Sequence, residues 1–134
     1  MNLAWAKEFM NSFSGDGLEK ALGLYADDVQ FEDVTFGFKA NGKAELREFF
    51  KGFTDPNAGE NSFIATAYSG NADGGAAEWT WHAKHAGEFM GVAANGKQTQ
   101  VKGVSILTFK NGKIASQHDY WDASSVLKQL GALK

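Results

Sequence analysis

The chain has 134 residues, which fits one domain (1–134) able to bury roughly two-thirds of its unfolded surface without staples. It contains no cysteine, which excludes disulfides, thiolate chemistry and cysteine-based metal sites together. The net charge of -3 is spread along the chain without a Lys/Arg cluster, so nucleic acid is not an expected partner. No apolar run reaches the ~18 residues of a membrane span, so no membrane contact is expected. The opening Met1-Asn2-Leu3-Ala4-Trp5-Ala6-Lys7-Glu8 lacks a basic start and an unbroken apolar run, so no signal peptide is expected and the expected compartment is the cytoplasm.

Eleven Phe, four Trp and three Tyr make 13% of the chain aromatic, which points to a thick core or a ring-lined cavity. Residues 3–13 read as a helix, with Trp5, Phe9 and Phe13 recurring at i, i+4. Ser14-Gly15-Asp16-Gly17 breaks that pattern. Asp16 is the expected N-cap of a second helix with Leu18, Ala21, Leu22 and Tyr25 on its apolar face, ended by Asp27-Asp28. Val29 to Val34 alternates as a strand, and Phe36-Gly37-Phe38 reads as a short strand or turn. Ala44 to Phe53 is a third helix with Leu46, Phe49, Phe50 and Phe53 on one side, closed by Asp55-Pro56-Asn57-Ala58-Gly59.

From residue 62 the pattern is β: 62–69, 77–87, 98–109 and 114–122. A tight Asn111-Gly112 turn joins the last two. Asp122 is the expected N-cap of a short closing helix. Helices first and a meander afterwards argue for α+β, with helices packed on one side of a mostly antiparallel sheet.

Side chains alternate across a strand, so each strand assigns its own faces. Trp79, Trp81, Ala83 and His85 share an inward face. Thr99, Val101, Gly103, Ser105, Leu107 and Phe109 form another. The opposite face of that strand carries Val104 and Ile106, a plausible subunit contact. Val29, Phe31 and Asp33 share one face, so Asp33 continues an apolar line. On the last strand Ala115, Gln117, Asp119 and Trp121 oppose Ile114, Ser116, His118 and Tyr120, and periodicity leaves open which set is inside.

A carboxylate on an apolar surface is pushed toward its neutral form, which can place its pKa where it moves protons at neutral pH. Asp33 and Asp119 are the two candidates. The plain alternative for Asp33 is that it caps the following turn. His85 is a candidate proton carrier or orienting donor, against the plain role of a core histidine. His82 and His85 face opposite sides of one strand, so no metal set forms. No phosphate-binding loop or nucleophile elbow is present, and no cofactor is expected.

His85-Ala86-Gly87-Glu88-Phe89-Met90-Gly91, Asn95-Gly96-Lys97, Gly112-Lys113-Ile114, His118-Asp119-Tyr120-Trp121-Asp122 and Leu127-Lys128-Gln129-Leu130-Gly131 resemble the SnoaL-like polyketide cyclases. That family lies within the ketosteroid isomerase and nuclear-transport-factor-like superfamily. Tyr25-Ala26-Asp27-Asp28-Val29, Glu32-Asp33 and Gly42 to Phe50 are similar to the same group. The resemblance implies a cone-shaped, cystatin-like fold of three N-terminal helices closing a strongly curved sheet, and a homodimer through the outer sheet face. It implies that the cyclase acid/base Asp falls on Asp119, which turns Gln117, Asp119 and Trp121 inward, and that the isomerase Asp falls on Asp33. It also implies departures. The isomerase oxyanion donors fall on Phe9 and Ser105. The cyclase His falls on Ser105, while His85 matches a second cyclase His. The Arg and second Asp of limonene epoxide hydrolase fall on Ala86 and Glu88.

The expected function is general acid/base chemistry on a small apolar carbonyl or polycyclic compound, of isomerase or cyclase type. Asp119, Asp33 and His85 would be catalytic. Tyr25, Phe31, Trp79, Trp81, Ser105, Leu107, Gln117 and Trp121 would shape the pocket. The alternatives are a non-catalytic ligand-binding or dimerising domain, and epoxide opening by a water held between Asp119 and Glu88.

Overall fold

The computed structural model describes residues 1–13, 17–54 and 59–133, apart from the side chain of Phe53. The expected N-cap Asp16, the breaker run at residues 55–58 and the facing of Phe53 lie outside the described residues. In chain order the elements are α1 (Leu3–Asn11), α2 (Leu18–Leu22), β1 (Tyr25–Asp33), β2 (Phe38–Asn41), α3 (Lys43–Thr54), β3 (Gly59–Gly70), β4 (Gly74–His85), β5 (Gln98–Lys110), β6 (Lys113–Trp121) and α4 (Ala123–Gln129). The fold is α+β, as the order of helices and meander predicts. A fourth helix closes the chain, and Asp122 caps it through the Ser125 N–H at 3.1 Å.

One six-stranded sheet runs in the order β2-β1-β6-β5-β4-β3. Every pairing is antiparallel except β1 with β6. Asn111 and Gly112, both at positive φ, make the tight turn between β5 and β6. Register shifts interrupt β1/β6, β3/β4 and β5/β6. Each such bulge bends its strand and adds twist, which curves the sheet around the helices. No helix among the described residues is long and apolar enough to cross a membrane.

Rings fill the space between helices and sheet. Trp5 of α1 stacks on Phe9 and meets Tyr68 and Phe109 edge-on. Phe49 of α3 packs against Phe31 and Phe38, and Phe50 against Phe13, Tyr25 and Phe31. Such pairs add about 0.5–1.5 kcal/mol each beyond the area they bury.

Two strand-level expectations are corrected. Tyr25 does not extend α2 but opens β1. The start of β6 captures the chain first: Ile114 N–H donates to the Leu24 carbonyl at 2.9 Å and Lys113 Nζ to the Gly23 carbonyl at 2.6 Å. Sheet pairing thus overrides the remaining helical periodicity, and Asp27-Asp28 lie within the strand as exposed residues. Ile114 is fully buried, although simple alternation puts it opposite Gln117. The bulge opposite Thr108 and Phe109 inserts Ala115 and turns Ile114 inward with Gln117.

Gly103 is the point of closest approach. It pairs with Trp79 across β4/β5, and a Cβ there would sit 2.4 Å from Cη2 of the Trp79 indole. The missing side chain is what lets that ring lie flat across β5. Replacing Gly103→Ala should therefore destabilise the fold by about 1–3 kcal/mol, the usual cost of overpacking a tight site. Urea denaturation measures it, and an unchanged midpoint would contradict the packing described.

Candidate active site

Two carboxylates meet on the inner face because β1 and β6 run parallel in register. Asp33, the last residue of β1, pairs with Asp119, and Asp119 pairs on its other side with Ser105 of β5. Register partners point the same way, so all three side chains face the helices. Gln117, two residues before Asp119, shares that face and pairs with Phe31 and Leu107.

Asp119 is anchored through one oxygen. Ser105 Oγ donates to Asp119 Oδ1 at 2.6 Å and Gln117 Nε2 donates to the same oxygen at 2.9 Å. Oδ2 accepts no hydrogen bond among the described residues. The only buried side-chain polar atom left without a partner among those residues is the Tyr68 hydroxyl, so Oδ2 is not sealed from approach. Behind this pair, Trp79 Nε1 donates to Ser105 Oγ at 2.9 Å and Tyr25 donates its hydroxyl to Gln117 Oε1 at 2.5 Å. Ser105 and Gln117 are essentially inaccessible, at 0% and 2% exposure.

Asp33 is held differently. Trp121 Nε1 donates to both carboxylate oxygens, at 3.1 and 3.2 Å, and the Phe36 N–H donates to Oδ1 at 3.0 Å. Asp33 therefore caps the turn at residues 34–37 and also faces the interior at 4% exposure. The two readings of this residue are not exclusive.

Burial pushes the Asp119 carboxyl up from 3.8 to about 7, against the opposing hydrogen bonds from Ser105 and Gln117, and the nearby Asp33 charge adds to the rise. Burial also raises Asp33, but the Phe36 N–H, the Trp121 indole and the Thr35 N–H oppose it. Tyr25 is raised well above 10 by burial and by the Asp119 charge, so it stays a hydrogen-bond donor. Burial lowers His85, which leaves it neutral at pH 7.

Above the carboxylates lies a cavity of ≈ 40 Å³, walled by Phe36, Phe49, Phe50, Phe63, Trp81 and Trp121, with Asp33, Asp119, Gln117 and Trp79 also lining it. That is room for roughly three water-sized positions. Phe36 is 37% exposed and touches Phe89 and Trp121, so it stands at the opening.

Of the residues singled out from sequence, Asp33, Asp119, Gln117, Trp79, Trp81 and Trp121 line this cavity. Tyr25 and Ser105 reach it through hydrogen bonds. Phe31 and Leu107 lie behind it in the core. His85 stands outside the lining, with Nε2 on Thr99 Oγ1 at 2.9 Å and its ring against Phe89. Glu88 is exposed and does not join Asp119, so the pair imagined for epoxide opening is not assembled. Met10, Phe13, Phe36, Phe49, Phe50 and Phe63 were not expected in the lining. The apolar face of α3 was the signal for Phe49 and Phe50, because a helix packed over a curved sheet must present that face to the hollow.

Residues 4–130 match the SnoaL-like polyketide cyclase family, and the chain belongs to that family. Among solved structures, one similar chain is a protein from Shewanella putrefaciens assigned to the SnoaL-like polyketide cyclases. It shares 20% identity at a TM-score of 0.78, with 96% of this chain and 93% of that one covered. A protein from Pseudomonas putida assigned as a polyketide cyclase shares 22% identity at 0.77, covering 96% and 98%. A hypothetical protein of ketosteroid isomerase-like fold from Catenulispora acidiphila, in complex with trimethylamine, shares 20% identity at 0.77, covering 98% and 93%. At these identities the likeness carries the fold alone. No curated protein matches the chain.

The raised pKa of Asp119 has a signed consequence for stability. Between pH 3.8 and about 7 the unfolded chain has released this proton while the folded chain still holds it, so stability falls as pH rises through that window and levels off above it. Asp119→Asn removes that fall. Its melting temperature should gain on the wild type steadily from pH 4 to 7 and by a constant amount above, with a ceiling of about 1.4 kcal/mol per pH unit for one proton. Paired melts at constant ionic strength check this, and a pH-independent difference would contradict it.

Proposed function

We propose that the protein is an enzyme that moves a proton on and off a carbon next to a carbonyl, in a small or narrow-ended apolar compound, with Asp119 as the acid/base. The observation that carries this reading is a carboxyl group near neutral pKa, held by one oxygen and open at the other, in a hollow walled by rings. Asp33, held by N–H donors, is the second acid and serves as a nearby charge and alternative base. Ser105 and Gln117 orient Asp119, so neither is free to act as an oxyanion donor while these bonds persist. His85 acts outside the cavity as a packing and orienting residue on Thr99.

The cavity volume narrows the substrate. The cavity as it stands, ≈ 40 Å³, favours a small substrate or a polycyclic one that presents only its reacting end. A polycyclic molecule would rest its bulk against Phe36 and Phe89. Hydrogen–deuterium exchange at the α-carbon of a panel of small apolar ketones, followed by proton NMR, tests the reading. Wild type should accelerate exchange with an apparent pKa near 7, rising as the carboxylate forms, and Asp119→Asn should lose roughly 10²–10⁴-fold. Equal exchange by both proteins would reject the role.

We also propose a homodimer through the outer sheet face. Val104 pairs with Tyr120, and Ile106 and Tyr120 are 42% and 45% exposed on that side. Ile106→Lys should halve the mass measured by light scattering, whereas a monomeric wild type would remove the proposal.

A further inference from the structure

Resting on the proton-transfer reading, we infer that Tyr25 is a positioning residue: its hydroxyl fixes the Gln117 amide so that the exchangeable proton of Asp119 is carried on Oδ2, the oxygen left for a ligand. Donors and acceptors around Ser105 decide where the proton sits. Ser105 Oγ has one hydrogen and two lone pairs. Trp79 Nε1 at 2.9 Å and Gln117 Nε2 at 3.3 Å both donate to it. Its own hydrogen must therefore go to Asp119 Oδ1, 2.6 Å away. Gln117 Nε2 donates to that same oxygen at 2.9 Å. With two donors on Oδ1, the acid proton has only Oδ2 to occupy.

This arrangement holds only while Gln117 presents Nε2 rather than Oε1 to Asp119. An amide is nearly symmetric in shape, so packing alone does not set that choice. An ionised Asp119 favours Nε2, but the protonated acid can itself donate, and Tyr25 holds the amide in both states. Its buried hydroxyl needs an acceptor, and Gln117 Oε1 at 2.5 Å is the one it has. A flipped amide would aim Oε1 at the carboxylate lone pairs and leave the Tyr25 proton unaccepted. Tyr25 is not among the residues lining the cavity, so it touches no ligand there and acts through Gln117.

Tyr25→Phe removes the hydroxyl and keeps the ring. Gln117 then loses its fixed orientation and the carboxylate loses a committed donor. The apparent pKa of Asp119, read from its carboxyl carbon by NMR, should rise by roughly one unit, and the Gln117 side-chain amide signals should shift and broaden. A purely structural role for Tyr25 would not depend on Gln117. In a Gln117→Leu background, Tyr25→Phe should therefore leave the Asp119 titration unmoved, a double-mutant cycle that isolates the relay. An unchanged titration and unchanged Gln117 signals in well-folded Tyr25→Phe would overturn the inference. So would an equal shift in the Gln117→Leu background. Should Tyr25→Phe fail to fold, the Gln117 amide protons of wild type decide. Slow exchange with solvent and a direct coupling of Gln117 Nε2 to the Asp119 carboxyl support the inference, and free rotation overturns it. A wild-type Asp119 that titrates near 4 would sink the proton-transfer reading, while the Gln117 signals would still judge the role of Tyr25.

Discussion

Everything at the site depends on two hydrogen bonds converging on one oxygen of one half-buried carboxyl group. Ser105 and Gln117 both donate to Asp119 Oδ1, and by doing so they choose which oxygen stays open. In water, two such donors would hold a carboxylate below its ordinary pKa. Here burial outweighs them and brings Asp119 to about 7. The competition has a definite sense: the donors fix geometry and the apolar surroundings fix the protonation state. Neither alone would make an acid that is both oriented and able to exchange its proton at neutral pH.

The rings serve that competition. Phe50, Phe63, Trp81 and Trp121 wall the hollow beside the carboxyl groups, and the curved sheet places them there. Two indoles also spend their N–H groups on the polar floor, Trp79 on Ser105 and Trp121 on Asp33. Trp79 reaches its partner only because Gly103 beneath it has no side chain. A chain with this many rings could have filled its interior completely. It leaves ≈ 40 Å³ next to its two acids instead.

Period-two alternation was enough to read the inward faces of β4 and β5 and to set Asp33 on an apolar line. The same logic left β6 undecided, and resemblance to the SnoaL-like cyclases turned Asp119 inward, where the structure has it. The alternation failed at Ile114 because a bulge is a pairing event between strands and leaves no periodic trace. Tyr25 read as helical because its spacing from Leu18, Ala21 and Leu22 suits a helix. Its true place depends on β6, nearly ninety residues later. The walls contributed by Phe36 and Phe63, and the company of His85 with Thr99, are meetings between elements. Alternation within one strand cannot supply them, nor the free volume that remains once they are packed.

The most direct test of the account is a neutron diffraction structure of the deuterated protein at pH 6. A deuteron on Asp119 Oδ2, the Ser105 deuteron directed at Oδ1 and the Tyr25 deuteron directed at Gln117 Oε1 are expected. A bare Asp119 carboxylate at that pH, or a deuteron on Oδ1, would contradict it.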